Sequence, residues 1–167
     1  MVIMKNDWDD LIKMVDKNEI DKIVEIYKEM EEKEYEYFID KLIYEIGTTE
    51  NCGHRNTIAI VLGDLGCNKA INTMIEVINM PKNRKCIGSL IYALESLDCE
   101  NEVKSILHVL FDGNYEAKYN TYCLFIEKFH KMKEEDKEEC KKLIEKEKEK
   151  IEETLDLIEK IEENIFS

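Results

Sequence analysis

A chain of 167 residues with a 44% hydrophobic fraction, one proline and six glycines has room for one cored domain and few places to break a helix. Its formal net charge of −14, from 24 basic and 38 acidic side chains, repels phosphate backbones and excludes a nucleic-acid binder that works through a basic surface. No run reaches the about 20 apolar residues that span a bilayer, and Met1 to Trp8 lack a basic segment followed by an apolar run, so neither a membrane span nor a signal peptide is expected.

In chain order, a short helix is predicted over residues 7–17, capped by Asn6 or Asp7, with Asp9 and Asp10 in its first turn where they suit the helix dipole. Helices follow over 19–33, 35–46, 54–65, 68–79, 85–97, 100–111 and 115–131. Residues 47–53, Pro81 and Gly113-Asn114 are turn signals between them. After Met132 the composition changes. Glu134, Glu135, Glu138, Glu139 and Lys142 occupy the place of a further packed helix, and an apolar stripe resumes as Ile144, Ile151, Ile158 and Ile165, with Leu155, Leu157 and Ile161 beside it. This seven-residue spacing predicts a long amphipathic helix. Glu147 and Thr154 fall where a coiled-coil seam needs apolar residues, so the helix is expected to cap the last hairpin and the protein to be a monomer rather than a dimer.

An internal repeat joins the central helices. Phe38, Ile39, Leu42, Ile43 and Ile46 form one helix face; adding 32 gives Ala70, Ile71, Met74, Ile75 and Ile78, and adding 32 again gives Glu102, Val103, Ile106, Leu107 and Leu110. The preceding helices repeat too: Ile26, Tyr27 and Met30, then Ile58, Ala59 and Leu62, then Leu90, Ile91 and Leu94, then Tyr122, Cys123 and Ile126. Leu65-Gly66-Cys67 and Leu97-Asp98-Cys99 are the turns between. A hairpin of this kind cannot bury both apolar faces alone, so neighbours must stack.

The segment from Arg55 to Ile71, with Leu62-Gly63-Asp64-Leu65-Gly66 closing one helix and Ala70-Ile71 opening the next, resembles the short HEAT-like repeat. Ser89 to Leu97 is a looser copy. The resemblance is closest over residues 50–112. It departs from the family pattern at Cys67, where a turn aspartate is usual, and in lacking a proline in the first helix. It implies an all-α superhelix of about four stacked hairpins. One domain over 1–167 is expected, divided into acidic N-terminal helices (1–50), a repeat core (51–131) and the C-terminal helix (132–167).

Cys52, Cys67, Cys86, Cys99, Cys123 and Cys140 are widely spaced, with no C-x-x-C. They read as reduced, mostly buried thiols of a cytoplasmic protein, without a metal site. Phosphate-binding, zinc-protease and nucleophile-elbow motifs are absent. Cys52 and His54 share a turn, but the sequence offers no third group to orient them, so neither a catalytic site nor a cofactor is expected.

In stacked hairpins the second helices line a concave surface. Its outward rows are Tyr37, Lys69 and Asn101; Tyr44, Glu76 and His108; and Lys41, Thr73 and Ser105. Tyrosines there suit protein contact because they add area at low entropy cost; the alternative is that they cover neighbouring hairpins. Trp8, among Asp7, Asp9 and Asp10, is expected to cap the first hairpin's core. Charge is uneven: residues 1–50 carry 7 basic and 15 acidic groups (−8), 51–130 carry 8 and 9 (−1), and 131–167 carry 9 and 14 (−5). Small acidic HEAT-like proteins resemble the immunity proteins of bacterial polymorphic-toxin systems. That resemblance implies a partner protein, basic in character, bound and neutralised by occlusion. An adaptor or assembly factor using the same face is the alternative, and a HEAT-fold lyase or glycosylase a remote one; a glycosylase needs a basic groove that this charge pattern does not supply.

Overall fold

The computed structural model describes residues 8–166. The proposed caps Asn6 and Asp7 lie outside them. All regular structure among the described residues is helical: α1 (Trp8–Asp16), α2 (Ile20–Lys28), α3 (Glu32–Thr48), α4 (Cys52–Asp64), α5 (Ile71–Asn79), α6 (Gly88–Leu94), α7 (Val109–Asp112), α8 (Tyr115–Lys128) and α9 (Glu134–Ile165). Short 3₁₀ turns occupy Asn68–Ala70, Pro81–Asn83, Val103–Ile106 and Phe129–Lys131. The chain forms two compact units, divided after His130.

Asparagine side chains start two of the helices. Asn51 Oδ1 accepts the His54 backbone N–H at 3.2 Å, and Asn114 Oδ1 accepts that of Ala117 at 2.9 Å. The α4–α5 turn uses Gly66 at φ +64°, a conformation that costs glycine little. There the Cys67 N–H returns to Leu62 O at 2.9 Å, closing the end of α4.

In the first unit α2, α4, α6 and α8 pack in succession as one row. α3, α5 and the 103–106 turn pack in succession as a second row, and α1 rests on α2 and α4. The apolar faces point between the rows. Ile39, Ile71 and Val103, and Leu42, Met74 and Ile106, are all buried, so burial in the second row follows the 32-residue spacing. The first row does not keep it. Burial makes Ile23, Val24 and Tyr27 equivalent to Ile58, Ala59 and Leu62, a spacing of 35, because the chain from Tyr27 to Ile39 is three residues longer than that from Leu62 to Ile71. At the other end Ala117, Thr121 and Leu124 take the places of Ile87, Ile91 and Leu94, a spacing of 30, because the chain from Ile106 to Thr121 is two residues shorter than that from Met74 to Ile91. The expected inward residues Tyr122 and Ile126 are therefore exposed, and Cys123 is half-buried.

Two predicted helices are also corrected. The helix expected over 85–97 is reduced to α6, and that over 100–111 is a 3₁₀ turn followed by the four-residue α7. Ser105 Oγ donates to Glu102 O at 2.7 Å, a local bond that competes with regular helix.

Polar bonds tie neighbouring elements of the first unit together. Asn68 Nδ2 donates to Asp98 Oδ2 at 2.7 Å and the Asp98 N–H donates to Asn68 Oδ1 at 2.9 Å, joining two turns 30 residues apart. Asn120 Nδ2 donates to Gly88 O at 3.0 Å, and Lys128 Nζ to Glu95 O at 2.6 Å, binding α8 to α6. α4 and α6 approach closely at Gly63, where an added Cβ would lie 2.9 Å from Ala93 O.

The second unit is dominated by α9, a single 32-residue helix. Ion pairs one turn apart support it, including Lys137–Glu134 at 2.6 Å and Lys160–Asp156 at 2.6 Å. Ile144, Ile151, Leu155, Leu157, Ile158, Ile161 and Ile165 are all exposed.

Candidate functional site

The rows of the second helices all reach the surface to some degree. Tyr37, Tyr44, Lys69, Glu76, Asn101, Ser105 and His108 are exposed, and Lys41 and Thr73 are half-buried. Tyr37 and Tyr44, on α3, are 56% and 69% exposed, which leaves most of each ring open to a partner. Lys41 gathers the aromatic end of this face: its Nζ lies 4.8 Å from the Trp8 ring centroid and 4.7 Å from that of Tyr37. Trp8 stacks on Phe38 at 6.1 Å, so it packs against the core beneath α3. Lys69 Nζ pairs with Asp40 Oδ1 at 2.5 Å and Glu36 Oε2 at 3.3 Å, which holds its ammonium pKa above the ordinary value. Tyr37, Lys41 and Lys69 thus belong to one patch with Trp8, Glu36 and Asp40. No direct bond links this patch to Asn101, Ser105 and His108, which lie on and beside the 103–106 turn.

A second surface was not anticipated. On α8 the outward stripe Tyr115, Tyr119, Tyr122 and Ile126 is exposed, with the Tyr119 and Tyr122 rings 6.4 Å apart. Its signal is in the sequence: α8 carries two interleaved stripes, and the one with the larger aromatic side chains faces out while Ala117, Thr121, Leu124 and Lys128 face in. Tyr92 on α6 is also exposed.

Beside α1 and α4 lies a polar cavity of about 380 Å³, lined in part by Asp16, Asn18, Asn51, His54, Thr57 and Ser89. The third group that the sequence did not reveal beside His54 is Asp16. His54 Nδ1 stands 2.8 Å from Asp16 Oδ1, and its Nε2 faces Glu45 Oε2 at 3.7 Å. The other member of the sequence pair is not a free thiol. Cys52 and Cys86 form a disulfide, with Cα atoms 5.9 Å apart, which corrects the expectation of six reduced cysteines. While that bond stands, Cys52 presents no thiolate to His54. Cys67, Cys99 and Cys123 are outside the bridge, and burial pushes the Cys99 thiol up to about 12. The bridge fastens the start of α4 to the segment before α6.

Next to it, Arg55 is 2% exposed and its guanidinium donates to Asn83 Oδ1 at 3.0 Å and Thr49 O at 2.6 Å. Burial lowers its pKa from the ordinary value. These bonds fit Arg55 to a structural role.

Among the described residues no group of three His, Cys, Asp or Glu side chains is placed to hold a metal ion, and no helix is long and apolar enough to cross a membrane. Comparisons with protein-family models, curated proteins and solved structures return no match.

Proposed function

We propose that this chain is a protein-binding module of the HEAT-like kind that neutralises a basic partner, acting as the immunity protein of a bacterial toxin and not as an enzyme. The observation that carries the reading is the joint presence of two largely exposed tyrosines on the second-helix face, Tyr37 and Tyr44, and a net charge of −14. Exposed aromatics supply contact area and acidic surroundings steer a cationic partner toward it. The two packed rows of helices supply a rigid base for such a face.

The partner surface proposed is Tyr37, Lys41, Tyr44, Lys69, Thr73 and Glu76, continued by Asn101, Ser105 and His108. The exposed α8 tyrosines favour a second reading, an adaptor that grips its partner through Tyr119 and Tyr122 without inhibiting it.

Affinity capture from the native organism at low salt tests both. Recovery of a basic, toxic protein whose activity is lost in the complex supports the immunity reading. Loss of capture in Tyr37→Ala/Tyr44→Ala, with Tyr119→Ala/Tyr122→Ala unaffected, assigns the surface. A stable complex with a non-toxic protein, broken by the α8 pair instead, replaces it with the adaptor.

A further inference from the structure

α9 carries an apolar stripe that is open to solvent. Ile144, Ile151, Leu155, Ile158 and Ile161 are between 42% and 61% exposed. From Ile144 to Ile161 the stripe runs about 26 Å along the helix axis. An amphipathic helix gains most of its stability by burying such a face, so the stripe is a surface built for an occupant.

The charges around it select the occupant's character. Along the stripe, residues 144–161 hold 7 acidic and 4 basic side chains, a net −3, and the whole of α9, residues 134–165, holds 14 and 7, a net −7. Pairing α9 with its copy in a dimer would set −7 against −7 and bring Glu147, in line with the stripe between Ile144 and Ile151, into the seam. An anionic bilayer surface would be repelled for the same reason. A helix with an apolar face flanked by lysines or arginines meets the stripe with opposite charge. It also brings a cation to Glu147, which within α9 is paired with Lys150.

We infer that α9 is the docking face for a basic amphipathic helix of a partner protein, laid along Ile144 to Ile161. This rests on the reading of the chain as a module for a basic partner, and it adds an element outside the second-helix face. Helix-on-helix recognition of this kind needs apolar anchors at three- and four-residue intervals, as Ile151, Leu155, Ile158 and Ile161 provide.

The test uses the full chain and a fluorescein-labelled Leu/Lys amphipathic peptide of about 18 residues, long enough to cover the stripe. Anisotropy titrations are run at low and high salt, with a Leu/Glu peptide of the same pattern alongside. The Leu/Lys peptide is expected to bind, more weakly as salt rises, and the Leu/Glu peptide not to bind. Ile151→Glu/Ile158→Glu is expected to weaken binding about tenfold or more, although it makes the helix more acidic. Both positions are exposed, and circular dichroism checks that α9 persists.

Equal or tighter binding by that variant means the attraction is charge alone and overturns the proposal. Sedimentation showing that the free protein is a dimer dissociated by the same substitutions also overturns it, because the stripe is then covered by a second copy. The Tyr37→Ala/Tyr44→Ala variant separates the two readings: peptide binding unchanged in it leaves α9 docking intact even where partner capture through the second-helix face fails.

Discussion

The Arg55 guanidinium and the Asn83 side-chain oxygen meet at 3.0 Å, both buried and 28 residues apart. Asn83 in turn donates its Nδ2 to Val77 O at 3.0 Å, and Arg55 reaches back to Thr49 O. One charged side chain therefore ties the start of α4 to the loop before it and to the 3₁₀ turn after α5. Arg55→Met leaves Asn83 and the Thr49 carbonyl without their donor inside the protein. The expected cost is about 2–4 kcal/mol, read from urea unfolding. Arg55→Lys should recover little, because a single ammonium cannot reproduce the planar fork. A Met variant within experimental error of the parent would show that Arg55 is not a structural tie.

Cys52 and Cys86 close a loop with a sequence separation of 34. Constraining a loop of that length in the unfolded chain contributes about 3–4 kcal/mol in the chain-entropy description. Cys86→Ser, or reduction of the parent, should lower the melting temperature, and the two changes should not add. Full melting stability under reducing conditions would count against a structural role for the bridge.

Glu95 is a carboxyl that the fold holds in its protonated form more readily than water does. Burial raises its pKa first, the neighbouring Glu127 adds to this, and Lys128 opposes both. The folded form binds this proton more tightly than the unfolded form, so the group's contribution is fully present below the ordinary carboxyl range and is lost as pH rises through the folded pKa. Glu95→Gln should stabilise the protein at pH 7 and change nothing in acid, below the unfolded carboxyl pKa. Equal gains at both pH values would point to packing instead of ionisation.

The Cys99 thiol, pushed up to about 12 from 9.0 mainly by burial, titrates later in the folded state than in the unfolded one. Stability should therefore fall as pH rises between these two values. Cys99→Ala should flatten that fall at some cost at neutral pH. An unchanged alkaline slope in the variant would remove Cys99 from the account.

Two glycines separate crowding from backbone conformation. Gly63→Ala places a Cβ 2.9 Å from Ala93 O and forces α4 away from α6, with an expected loss of about 1–3 kcal/mol. Gly66→Ala meets nothing within 4 Å and pays only for its φ of +64°, about 1–2 kcal/mol. Calorimetry on the pair should rank Gly63→Ala as the more damaging. The reverse order would mean that the helices separate at little cost.

The buried positions of the second row were legible because Ile39, Ile71 and Val103 recur at a constant spacing of 32, so one spacing places them all. The first row was legible only where α4 leads to α6. A shift of two or three residues in a loop rotates a whole helix face, and loop length leaves no trace in the apolar pattern of either neighbour. That is how Ile126 stands in the expected core position while Leu124 fills the place. The Cys52–Cys86 pairing and the Asp16–His54 bond join residues 34 and 38 positions apart, and no local motif announces either. Tyr37 and Tyr44 were readable as outward positions because α3 is long and regular.

Between Cys99 and Gly113 the chain keeps its side chains buried while giving up regular helix, with Val103, Ile106 and Val109 inside and only a 3₁₀ turn and one α-helical turn around them. Side-chain burial and backbone hydrogen bonding thus part company there. This stretch is fastened by its apolar contacts more than by its own ladder, so it can open as a flap without unwinding a helix on either side. Amide exchange should register that opening in residues 103–112 before it reaches α4 or α8.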